Sequence, residues 1–338
     1  MKSSMPEIVG NESLRRRLCD DILNAAMAHA YILAGPRGSG KHRIAMQYAA
    51  AVACENKNDP SAPLPCLRCP SCRKILEGKS PDVITVEKSG QSVKIDQIRA
   101  LQTDVRKVPN DLEDKFYIIE DAQTMTSEAQ NAFLLTLEEP PSFVHFFLLC
   151  ESAEPLLETV RSRAPVLRTE PIPPDSVREY LVRTSADAAR LAENDPAALS
   201  DILTIADGSI GRALELIDEK EREPHVLRRR TAENLIDCAL RHRTVALVEL
   251  VNSLPPKQDE LLPILSTASV ALRDLIALKQ SEGAPLCFYT DRTVATEKAY
   301  SHSLSAMLSL YDTLTETADN LARNANIKLT LTAMIAKL

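Results

Sequence analysis

The chain has no tryptophan and only 4% aromatic residues, while Ala and Leu recur at helical spacing through much of its C-terminal half, which reads as helical. It also lacks a run of about 18 uninterrupted apolar residues, the length a membrane-spanning helix needs. The first residues, Met-Lys-Ser-Ser-Met-Pro-Glu, lack the apolar core of a secretory signal. A cytoplasmic protein with no membrane partner is expected. Basic residues are not in excess: 40 Lys and Arg face 47 Asp and Glu, a net charge of −7, which excludes an autonomous, strongly basic nucleic-acid binder. A disulfide framework is excluded as well, since eight cysteines in a reducing compartment stay as thiols.

What is present is 44% apolar residues over a length that calls for two or three domains. In the N-terminal half, short apolar runs at 31–34, 83–86, 116–119 and 146–150 alternate with amphipathic stretches, the pattern of a parallel sheet with crossover helices. Pro171-Ile-Pro-Pro174 breaks the chain after this region, and loop signals at Asn194-Asp-Pro196 and Asp207-Gly208 punctuate a small helical segment. From about Lys220, Leu/Ala-rich helices follow, interrupted near Ser253–Lys257 and Glu282–Pro285. The expected division is an α/β domain over 1–168, a small helical domain over 169–219 and an all-helical domain over 220–338.

The most specific local signal is Gly35-Pro-Arg-Gly38-Ser-Gly40-Lys41-His42, between a strand-like run and a helix-like one. Glycines there let backbone N–H groups face a polyphosphate at a helix N-terminus, and Lys41 reaches the terminal phosphates. The next position calls for a Ser or Thr hydroxyl to bind Mg²⁺, and His42 stands in its place. Imidazole is a poor ligand for an ion that prefers small oxygen donors. The strand-like Lys115–Ile119 ends in Glu120-Asp121, where a working phosphoryl-transfer site has its acidic pair as Asp then Glu; the inversion moves each carboxylate by one methylene. ATP with Mg²⁺ is not expected to be held productively.

Cys54, Cys66, Cys69 and Cys72 follow a C-x11-C-x2-C-x2-C spacing with Pro65 and Pro70 between them. Four thiolates in such returns make a closed, structural Zn²⁺ site, with an iron–sulfur cluster as the alternative. The knuckle is expected as an excursion from the sheet. Cys19, Cys150, Cys238 and Cys287 read as small core residues.

His29-Ala-Tyr31, Leu135-Thr-Leu-Glu-Glu-Pro-Pro141 and Arg161-Ser-Arg163, together with the phosphate loop and the acidic strand, make the chain resemble the bacterial clamp-loader AAA+ subunits from about residue 7 to 220, and Leu321–Leu329 resembles their closing helix. The resemblance implies an AAA+ nucleotide-binding domain with a zinc knuckle, a helical lid and a helical collar. It implies a pentameric ring with γ/τ and δ subunits that opens a sliding clamp and places it on primer-template DNA. It also implies that Arg163 is an arginine finger directed at the neighbouring subunit's nucleotide, although Ala164 stands where the family has Cys.

The departures favour the δ′-type stator over the γ/τ motor. In Gly208-Ser-Ile-Gly211-Arg212, the position of the second sensor arginine is Gly211, and Arg212 falls one place late, turned by about 100° on a helix. Two other readings stay open: an active γ/τ-type ATPase, and a clamp-independent AAA+ module binding DNA or regulating another protein. The second would need a basic surface, and the basic runs at 228–230 and 241–243 read as solvated helix faces.

Overall fold

The computed structural model describes residues 5–281, 283–289, 291–323 and 325–337. Glu282 and Asn324, which fall within two of the sequence features above, lie outside them. Contacts divide the chain into two compact units, Met1–Leu181 with Gly208–Arg212, and Val182–Asp207 with Ala213–Leu338.

The first unit is built on a five-stranded, all-parallel sheet of β1 (Ala30–Ala34), β2 (Val83–Val86), β3 (Lys115–Ile119), β4 (Val144–Cys150) and β5 (Val166–Arg168), in the order β2-β3-β4-β1-β5. Four of the strands are those the apolar runs predict. The edge strand β5 has three residues, too short to give a periodic signal. Helices α1 (Glu12–Leu23), α2 (Lys41–Val52), α3 (Pro70–Leu76), α4 (Ile95–Val105), α5 (Ser127–Glu138) and the short α6 (Glu158–Arg161) cover it.

The side-chain alternation of a strand sends successive residues to opposite faces. Tyr31, Leu33, Phe116, Ile118, Phe147 and Leu149 pack in one core with residues of α1, α2 and α3. Ile32, Tyr117, Ile119, Phe146, Leu148 and Cys150 pack in another with residues of α4 and α5. β1, β3 and β4 are buried along their whole length, which is why they read as unbroken apolar runs rather than alternating ones.

In the second unit, α8 (Ala186–Asn194) and α9 (Pro196–Ala206) meet at Asp195, whose carboxylate caps α9 through the Ala198 N–H at 2.9 Å. They follow α7 (Pro174–Thr184) and precede α10 (Ile210–Ile217), both of which are divided between the two units. Helices α11 (Glu219–Leu240), α12 (Thr244–Asn252), α13 (Gln258–Gln280), α14 (Arg292–Ser301), α15 (Leu304–Ala322) and α16 (Ile327–Lys337) form a helical core. Among the described residues, α13 alone is long and apolar enough to cross a membrane. Here its Leu261, Leu265, Ala268, Leu272 and Leu275 lie in that core, and its buried Asp274 accepts the N–H groups of Cys287, Phe288 and Tyr289 at 2.8, 2.6 and 3.3 Å. Cys19 and Cys150 are buried as expected, whereas Cys238 and Cys287 are only partly so.

Just before β2, Asp82 is fully buried and accepts four N–H groups: Asn110 N and Nδ2 at 2.7 and 3.0 Å, Asp111 N at 2.7 Å and Leu112 N at 2.9 Å. Burial works to raise its carboxyl, but the three backbone donors and the Asn110 amide outweigh it and hold it below the usual carboxylate range. A depressed carboxyl contributes stability above its unfolded value of about 3.9 and loses it as pH falls through the folded value. We expect Asp82→Asn, which sets an amide donor against these donors, to cost about 2–3 kcal/mol in urea unfolding at neutral pH. The gap to the parent should stay constant above about pH 5 and shrink below about pH 4.

Candidate nucleotide site and cysteine cluster

β1 ends at Ala34 and α2 starts at Lys41, so residues 35–40 form the turn that the sequence predicts. Gly38 and Gly40 sit at φ 74° and 87°, the left-handed region where a side chain is strained. Lys41 Nζ donates to the turn's own carbonyls, Gly35 O at 2.7 Å and Pro36 O at 2.8 Å. Burial lowers the Lys41 ammonium from its ordinary value, against the opposing pull of Glu151 and other nearby acids.

The turn is closed from two sides within the first unit. Thr169, just beyond β5, donates its hydroxyl to Ser39 Oγ at 2.9 Å. The Gly211 N–H donates to Gly38 O at 3.1 Å, and Ser209 Oγ donates to Arg37 O at 3.0 Å. A Cβ on Gly211 would lie 2.8 Å from Gly38 Cα, so the backbones touch with no room for a side chain at the position where the resemblance calls for a sensor arginine.

β3 delivers Glu120 and Asp121 beside this turn. Glu120 Oε1 lies 2.5 Å from His42 Nδ1, and Asp121 Oδ2 lies 2.9 Å from Lys88 Nζ. All four side chains are between about a quarter and a half exposed, and each acid is engaged by a nitrogen of this chain. The sequence predicts His42, Glu120 and Asp121 together, and the structure brings them together. It adds Lys88 and Thr169, which carry no motif, and Ser209, which the sequence places in the Gly208–Arg212 segment without signalling a contact to this turn.

Arg163 follows α6. Its Nη2 donates to Glu138 Oε1 at 2.6 Å, and its Nη1 donates to Thr159 O at 2.9 Å. Glu138 ends α5 in the Leu135–Pro141 segment. The guanidinium is about one-third exposed and bound by a carboxylate about half exposed.

The four cysteines converge. Their Sγ atoms lie within 4.8 Å of one another and all four residues are buried. A tetrahedron with Zn–S bonds of about 2.3 Å has edges of about 3.8 Å, so small side-chain adjustments close it around an ion. N–H groups point at the sulfurs: Cys66 N to Cys54 Sγ at 3.5 Å, Cys69 N to Cys66 Sγ at 3.4 Å, Cys72 N to Cys69 Sγ at 3.4 Å and Asn56 Nδ2 to Cys66 Sγ at 3.4 Å. Burial raises the thiols of Cys54 and Cys72. At Cys66 burial also works upward, but the Asn56 amide and the N–H groups of Arg68 and Cys69 overcome it and bring the thiol down to about 6. A sulfur cluster that attracts N–H donors suits thiolate ligands, and the donor set fits zinc. The knuckle is not an excursion: all four cysteines pack in the same core as α2 and the face of β1, β3 and β4.

A family model described as DNA polymerase III, delta subunit, matches residues 10–173. The chain resembles the clamp-loader AAA+ subunits of DNA polymerase III. It is 32% identical over 215 residues to the tau subunit of Bacillus subtilis DNA polymerase III, and 34% identical over 179 residues to the delta′ subunit of the same organism. These segments cover 63% and 52% of this chain, but 37% and 53% of those relatives. Tau-type and delta′-type clamp-loader subunits thus match at similar identity, and the likeness does not sort the chain between them. A solved DNA polymerase III gamma subunit-related protein from Thermotoga maritima is 17% identical, covering 96% of this chain and 97% of that one with a TM-score of 0.48.

We expect the purified protein to carry about one zinc per chain by elemental analysis, and Cys69→Ser to lower that content sharply. Because the cysteines belong to the α2 core, the same substitution should lower the thermal midpoint of the first unit. Iron with acid-labile sulfide in place of zinc would sink the assignment.

Proposed function

We propose that this protein is a δ′-type stator of the DNA polymerase III clamp loader, a subunit that does not itself hydrolyse ATP but offers Arg163 to a motor neighbour's nucleotide. In this reading residues 1–168 are the AAA+ domain, 169–219 the lid and 220–338 the collar. Its partners are γ/τ and δ subunits in a pentameric ring, the sliding clamp and primer-template DNA, and its compartment is the cytoplasm.

The observation that carries the reading is the His42–Glu120 contact at 2.5 Å. A motor needs a Ser/Thr hydroxyl and an acid at these positions to share Mg²⁺. Here the two side chains engage each other, Asp121 engages Lys88, and Gly211 places backbone where a sensor arginine is needed. All three departures support the same reading. Arg163, by contrast, is intact; besides its bond to Thr159 O, it is held by an exposed pairing with Glu138 worth no more than about 1 kcal/mol, which a phosphate can replace.

The likeness to tau supports the rival reading of an active ATPase, and a hydrolysis assay on the isolated chain decides between them. We expect turnover indistinguishable from that of a Lys41→Ala control; motor-like turnover abolished by that substitution would overturn the stator reading. In a loader reconstituted with γ/τ and δ, Arg163→Ala should leave assembly intact and lower DNA-stimulated ATP turnover by about tenfold or more. Arg163→Lys should not restore it, because an ammonium lacks the guanidinium fork. Unchanged turnover in intact rings would reduce Arg163 to a surface residue.

A further inference from the structure

The degenerate phosphate loop still has the parts that hold phosphate: a glycine turn at the N-terminus of the twelve-residue α2, with Lys41 opening it. What it lacks is a place for the metal. Two neighbouring ligands on an octahedral Mg²⁺ stand about 2.9 Å apart, each about 2.1 Å from the ion. His42 Nδ1 and Glu120 Oε1 are 2.5 Å apart and joined directly, so the space between the two motifs is closed by a side-chain bridge. The second acid cannot substitute, because Asp121 is engaged by Lys88 at 2.9 Å. The residues present therefore do not fit Mg²⁺.

Resting on the reading of this loop as a degenerate phosphate site, we propose that the His42–Glu120 bridge stands in for the metal and makes the loop a magnesium-indifferent site for a nucleoside polyphosphate. The bridge ties the first turn of α2 to the end of β3, the link that a shared ion provides in a motor. The phosphates would be met by the turn's N–H groups and by Lys41, whose present partners are two carbonyls of the same turn and therefore exchangeable without leaving a charge unpaired. Glu120 is engaged by the His42 imidazole and Asp121 by the Lys88 ammonium, so each acid already has a partner within this chain when an anionic ligand approaches. Glu151 remains as the acid that acts most strongly on Lys41. The ligand class is ATP or ADP as the free polyphosphate, bound without turnover.

The test is equilibrium binding of ATP to the full chain, once with added Mg²⁺ and once in buffer stripped of Mg²⁺ without a chelator, zinc content being the same in both. We expect dissociation constants equal within about twofold in the two conditions for the parent, loss of binding in Lys41→Ala, and a preference for Mg²⁺ of about tenfold in His42→Thr. Binding by the parent that tightens about tenfold with Mg²⁺, or no ATP binding in either condition, would overturn the inference. Neither result touches the stator reading, which turns on hydrolysis and on Arg163. Conversely, ATP turnover by the parent would overturn that reading whatever the metal dependence of binding.

Discussion

The first unit depends on burying both faces of one parallel sheet. β1, β3 and β4 can be apolar throughout only because helices cover each side, and the two cores they define are separate sets of alternating residues. That constraint positions the chemistry. The phosphate turn leaves the end of β1 and the acidic pair leaves the end of β3, with β4 between them in the sheet order. The cysteine cluster is tied to the same frame, because Cys54 follows α2 directly and all four sulfurs pack in the α2 face. Zinc, if bound, braces the helix that begins with Lys41 and His42, so the structural metal and the nucleotide turn share one helix.

The parts of this arrangement that were legible in the sequence are those with a period or a fixed spacing. Four strands, the glycine turn, the Glu120-Asp121 strand end and the convergence of Cys54, Cys66, Cys69 and Cys72 could all be read from residue types in order. β5 escaped because three residues carry no period. Lys88 and Glu138 escaped for a different reason: each is an exposed charge whose partner, Asp121 or Arg163, lies 33 or 25 residues away along the chain by their numbering, and nothing local marks which surface charge will meet which. Thr169 was invisible likewise, although its hydroxyl caps the turn through Ser39. The knuckle was misjudged as an excursion because spacing reports coordination and says nothing of what the sulfurs pack against.

The sensor position shows how a missing side chain differs from a replaced one. At His42 the chain substitutes another polar group, which finds a partner. At Gly211 it removes the side chain altogether and the vacated space is filled by backbone, with Gly38 O accepting the Gly211 N–H. A side chain there would place its Cβ 2.8 Å from Gly38 Cα, so Gly38 and the glycine turn with it would have to retreat. On the proposed reading, the absence of a sensor arginine is thus built into the packing of the loop itself, and a single substitution would not reverse it.

The decisive contrast is between two kinds of ion pair. His42–Glu120 and Lys88–Asp121 stand where a motor keeps its carboxylates committed to a cation, and they give both acids an internal partner. Arg163–Glu138 is of similar length and exposure, 2.6 Å at about one-third and one-half exposed, yet the proposed function gives it the opposite role. A carboxylate pairing with its own chain's nitrogen removes a reason to bind Mg²⁺. An arginine pairing with its own chain's carboxylate is merely held in place until a stronger anion arrives, since a phosphate offers more charge and a bidentate match to the guanidinium. On the proposed stator reading, similar surface electrostatics would thus close the chain's own metal position and leave Arg163 free to exchange its carboxylate for a phosphate.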